Sequence, residues 1–88
     1  MFIRKYNLKL FFPIIIKMVT SKVKINMVKR AIRAFLKGRE NISWTTGVII
    51  HSRIDKETLK EVLDELKDYG DKLLFQNLVE RCNERELL

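Results

Sequence analysis

Few of the 88 residues carry side chains that could make or break a bond. His51 is the single histidine and Cys82 the single cysteine. Acid–base or nucleophilic catalysis needs such a group held beside a partner, and the spacing around His51 predicts none. A lone cysteine builds neither a disulfide framework nor a zinc site. Glu57, Glu61 and Glu65 stand at four-residue steps and could share a cation, but solvated carboxylates at that spacing only repel one another slightly. Gly38, Gly47 and Gly70 are isolated breaks, so no glycine-rich loop cradles a phosphate. The expectation is a protein that is not an enzyme and uses no cofactor, no metal and no small-molecule ligand.

Cations are what remain. Residues 1–39 hold eleven Lys or Arg and no Asp or Glu, whereas residues 40–88 hold seven basic and eleven acidic side chains. The net charge of +7 therefore divides into +11 and −4. Such asymmetry points to a polyanionic partner for one end, either nucleic acid or an anionic membrane surface. The plain alternative is a solvated basic face, or two halves of one chain neutralising each other.

The elements that must position these charges are helical. Ile54–Gly70 reads most clearly: Asp55 can cap the first turn, and Ile54 with Leu59 forms a hydrophobic staple. Leu59, Val62, Leu63, Leu66 and Tyr69 then make one apolar stripe, and Gly70 supplies the left-handed stop. Upstream, Ser21 is a plausible cap for a basic amphipathic helix. Its apolar face is Val23, Met27, Val28, Ala31, Ile32, Phe35 and Leu36, and Gly38 ends it. Lys24, Lys29, Arg30, Arg33 and Lys37 lie mostly on the other face and suit phosphate contact. Asp71 can cap a last helix over residues 72–86, with Leu74, Phe75, Leu78, Val79 and Cys82 inward and the thiol buried and inert.

Residues 39–53 read less simply. Ser43 could cap a short helix over Trp44–His51, yet Thr45, Thr46, Val48, Ile49 and Ile50 are β-branched and equally suit a strand. A short helix is the reading taken, with Gly47 weakening either element. Residues 1–17 combine Arg4, Lys5 and Lys9 with an apolar run, Leu10–Ile16, broken by Pro13. The run lacks a signal-peptide cleavage site and is far below the ~20 residues that span a bilayer. Three readings stay open for it: a pairing strand or arm, a basic-aromatic membrane anchor, or upstream sequence preceding a natural start at Met18.

The phrase from Ser43 to Gly70 resembles the helix-turn-helix core of small winged-helix DNA-binding proteins. Ile54, Asp55, Thr58 and Leu59 match the turn and the start of that family's recognition helix, while Leu63, Leu66 and Gly70 match its tail. The basic helix ending at Leu36 corresponds to the family's first helix. The resemblance implies a small transcriptional regulator in which Arg53, Lys56, Thr58 and Lys60 approach bases, with Ser52 beside them. It also makes Gly47 the small residue between the two helices. Residues 72–86 have helical periodicity where the family has a β-hairpin wing, and Asp55–Tyr69 carries three Lys against six acids.

The sequence therefore predicts a mainly α, compact domain of three to four helices over residues 21–88, helix-turn-helix-like. An irregular or extended arm over residues 1–20 precedes it. The expected function is non-enzymatic DNA binding in the cytoplasm, with a homodimer as a further expectation. The alternative is a helical protein–protein interaction module without nucleic acid, its helices 55–69 and 72–86 pairing with a partner chain. A third reading, peripheral membrane attachment through residues 1–17, is the least favoured.

Overall fold

The computed structural model describes residues 22–88, so the N-terminal arm, the Ser21 cap and the start at Met18 lie outside the described residues. Four helices follow one another: α1 over residues 22–36, α2 over Ile42–Ser52, α3 over Lys56–Leu66 and α4 over Lys72–Glu84. There is no strand among the described residues. The β-branched run in α2 is thus helical, and tertiary packing has overridden its local preference for a strand.

Helix ends are set by caps that satisfy freed backbone groups. Asp55 Oδ1 accepts from the Thr58 N–H at 2.8 Å, and Asp71 Oδ1 accepts from Leu73 and Leu74 at 2.8 and 3.1 Å. At α2 the cap is Asn41, two residues before the expected Ser43, and its Oδ1 accepts from the Trp44 N–H at 2.7 Å. Gly38 takes φ 76° after α1, its N–H reaching Phe35 O while Arg39 N–H reaches Ala34 O, both at 2.9 Å. This pair is a Schellman closure, and glycine takes the left-handed position without strain.

Gly70 does something else. The regular part of α3 ends at Leu66, followed by a right-handed Lys67, and Gly70 does not have a positive φ. A Cβ there would stand 2.6 Å from Leu36 O and 2.9 Å from Leu36 Cβ. Glycine is required because the α3–α4 loop sits directly on the C-terminal end of α1, where Asp71 N–H approaches Leu36 O at 3.5 Å.

The core draws on every helix: Val28, Ile32, Phe35 and Leu36 of α1, Ile49 of α2, Leu59, Val62, Leu63 and Leu66 of α3, and Leu78 and Cys82 of α4. Ile54, Leu74, Phe75, Val79 and Leu87 pack on its edge. Thr45 and Thr46 are buried among these apolar groups. Their hydroxyls donate to Asn41 O at 3.0 Å and Ile42 O at 2.7 Å, so no polar atom is stranded. Two expected core residues, Val23 and Met27, are 47% exposed and lie outside the packed stripe. Gly47 is exposed, with open space where a Cβ would be, so it does not pack between helices.

Candidate nucleic-acid interface

The turn between α2 and α3 is three residues, Arg53–Asp55. Buried Ser52 organises it: its hydroxyl donates to Ile49 O at 2.7 Å and accepts from the Ile54 N–H at 3.3 Å. Arg53 closes α2 at φ 56°, ψ 34°, with its N–H on Ile50 O. A non-glycine residue in this left-handed region costs about 1–3 kcal/mol, which the surrounding packing must offset. Arg53, Lys56 and Lys60 all point to solvent from this turn and the start of α3. Thr58 does not join them. Its N–H donates to Asp55 Oδ1 at 2.8 Å, and hydrogen bonding from Thr58 holds that carboxyl below its ordinary value. Thr58 is half-buried and committed to the cap.

On α1 the five expected phosphate contacts have different fates. Arg30, Arg33 and Lys37 are exposed, whereas Lys24 and Lys29 are half-buried. Lys29 Nζ lies 2.8 Å from Glu65 Oε2 of α3, so its charge is already paired. Arg33 and Lys37 converge on Tyr69, with the guanidinium carbon 5.8 Å and Nζ 5.3 Å from the ring centroid. Both lie within cation–π range. Arg39, which the sequence reading did not select, is exposed just beyond the Gly38 closure and extends this basic end. Its signal was available in the sequence: helix C-termini favour cations, and the Schellman position follows directly from Gly38.

Tyr69, read as part of the α3 stripe, stands instead in the loop after α3 and is 41% exposed. Gly70 holds that loop against Leu36, so the ring is positioned by the same contact that joins α1 to the α3–α4 junction.

The two cationic sets do not share a surface. Successive residues step by about 100° around a helix. Going around α3 from the edge that meets α1, Glu65 comes first. Exposed Glu61, Glu57 and Asp64 follow, Asp64 lying 3.3 Å from Lys67, and only then Lys60 and Lys56, with Asp68 just beyond the helix. The phosphate contacts expected on α1 and the base contacts expected on α3 are thus separated by acidic side chains.

Elsewhere, Met27, Trp44, Gly47, Val48 and His51 line a shallow groove of about 320 Å³ where α1 meets α2. His51 is exposed there. Among the described residues no cluster of His, Cys, Asp or Glu could hold a metal ion. The buried Cys82 thiol is pushed up to about 11 by desolvation, which suits an inert core group. No helix among the described residues is long and apolar enough to cross a membrane.

What these features define is a small all-α domain with segregated basic and acidic surfaces. Comparison with protein-family models, with curated proteins and with solved structures finds no match.

Proposed function

We propose that the chain is a non-enzymatic DNA-binding protein that grips the phosphate backbone through the C-terminal end of α1. The observation that carries this reading is the cluster of Arg30, Arg33, Lys37 and Arg39, all exposed, with none of them ion-paired among the described residues. Arg30, Arg33 and Lys37 follow one another at three- and four-residue steps, and like charges at that spacing repel slightly until an anion lies between them. A phosphate chain supplies such anions at regular spacing, and counterion release drives the association. The three-residue turn into α3 supports a helix-turn-helix-like arrangement, with residues 72–84 forming a helix in the place of a wing.

Fluorescence anisotropy of the whole chain with labelled random-sequence DNA, titrated from low to physiological salt, tests the proposal. Four phosphate contacts predict a log–log salt slope of about −3 to −4. A chain that leaves DNA free even at low salt does not have this function.

A second reading has its own support. Val23 and Met27 are each 47% exposed and Trp44 is 45% exposed, and Met27 and Trp44 share the α1–α2 groove with Val48. Apolar side chains gathered in this way mark a contact with another protein, and a second copy of the chain would make it a homodimer. This surface lies on α1 and α2, apart from the pairing expected of helices 55–69 and 72–86. Trp44 is the only tryptophan, so its emission should shift to longer wavelength as the protein is diluted through dissociation. Constant emission and a monomer mass at every concentration would exclude the dimer.

A further inference from the structure

We infer that Tyr69, flanked by Arg33 and Lys37, is a base-stacking platform, and that the nucleic acid this surface fits is single-stranded. The inference rests on the nucleic-acid reading above and deepens it.

A duplex has little use for this surface. Its base faces are stacked on one another, leaving only groove edges and phosphates to a protein. The face of an exposed ring such as Tyr69, 41% accessible, finds no base face there, and only its hydroxyl could reach a phosphate. Driving α3 into a major groove would also bring Glu57, Glu61, Asp64 and Asp68 beside the phosphates of both strands, with like charges facing at close range. A single strand avoids both penalties. It can lie along the α1 side of those acids, lay a base on the tyrosine ring and place its flanking phosphates against the two cations. Aromatic rings bordered by basic side chains bind single strands in this manner, and every base offers a stacking face.

The backbone that carries the ring is held in place, which lowers the cost of ordering it. Tyr69 N–H donates to Leu66 O at 3.0 Å, and the next residue is wedged against Leu36. Arg33 and Lys37 rise from one face of α1, four residues apart, and both already lie within 6 Å of the ring centroid. Binding need only redirect their charged ends from the ring to phosphate.

The experiment compares the whole chain's affinity for four labelled ligands: a thymidine homopolymer of about 12 nucleotides, within the usual site sizes, the uridine homopolymer, an abasic strand of equal length, and a random-sequence duplex. Both homopolymers should bind more tightly than the abasic strand and the duplex. Tyr69→Ala should weaken homopolymer binding by between about 5-fold and 150-fold and duplex binding by less. Tyr69→Phe, which keeps the ring, should bind like the parent. The abasic comparison uses the unaltered protein, so it stands even if the alanine variant folds poorly. Equal affinity for duplex, abasic and thymidine strands would overturn the stacking platform while leaving phosphate binding in place. Failure of all four ligands to bind at low salt would overturn the nucleic-acid reading itself.

Discussion

Ile32→Ala should lower the melting temperature by roughly 8–40 °C, and Leu73→Ala should leave it almost unchanged. Both remove a large aliphatic side chain from a helix. Ile32 is 0% exposed, at the centre of a cluster that joins α1 to α3 and α4, whereas Leu73 is 69% exposed. Truncating a buried isoleucine to alanine costs about 2–5 kcal/mol through lost transfer energy and the cavity left behind. In a domain of this size each kcal/mol moves the melting point by about 4–8 °C. Total stability for some 70 residues is roughly 3–10 kcal/mol, so a loss of that order unfolds a large share of the molecules. Leu73 joins the Asp71 cap through its backbone N–H alone, which alanine keeps, so truncating its exposed side chain lies within about 0.5 kcal/mol of neutral. Thermal melts followed by far-ultraviolet circular dichroism decide the matter. A melting point for Ile32→Ala close to that of Leu73→Ala would mean that α1 does not pack as described.

The contrast between those two residues shows what sequence could and could not reveal. Asp55 and Asp71 were readable as caps because a cap is a local bargain between one side chain and the backbone two or three residues on. The cap of α2 lay two residues from the expected one because Ser43 and Asn41 are both competent. Starting at Asn41 brings Ile42 against the core and lets Thr45 bond back to Asn41 O. That is a tertiary preference, invisible locally. Val23 and Met27 followed the apolar spacing of α1, but the arc from Leu36 round to Val23 is wider than one packed interface covers, and its edge is left in solvent. Gly70 illustrates the same limit. Its position after an amphipathic run fits a left-handed stop, and the true constraint, the Leu36 backbone across the fold, leaves no mark on neighbouring residues.

Surface charge was legible as composition and not as arrangement. Eleven cations in the first 39 residues are the basis for expecting an anionic partner. Nothing in the spacing shows that Lys29 is neutralised by Glu65, or that Tyr69 gathers Arg33 and Lys37. Those pairings join residues some thirty positions apart. The acidity of this segment was visible as six acids from Asp55 to Tyr69, with Glu57, Glu61 and Glu65 at four-residue steps. The position of these acids between the two basic sets required knowing which edge of α3 meets α1.

That position makes the decisive charge reversals asymmetric. Arg30→Glu with Arg33→Glu should remove nucleic-acid binding at physiological salt, whereas Lys56→Glu with Lys60→Glu should change it little. Each double variant alters net charge by the same amount, so a purely long-range field would weaken binding equally in both. At physiological ionic strength the screening length is about 8 Å, and cations beyond the acids of α3 add little to a strand lying on α1. Non-specific affinities there are only about 10⁻⁴–10⁻⁶ M. Losing two contacts and gaining two repulsions therefore carries the first variant below detection, while at low salt its slope should fall by about 2. All four side chains are exposed, so the helical spectrum and melting point should survive both changes. Equal losses in the two variants would mean that binding follows net charge alone. A larger loss from Lys56 and Lys60 would move the interface to the turn and the leading end of α3, where Arg53 projects, and would restore that helix as the element that enters the groove.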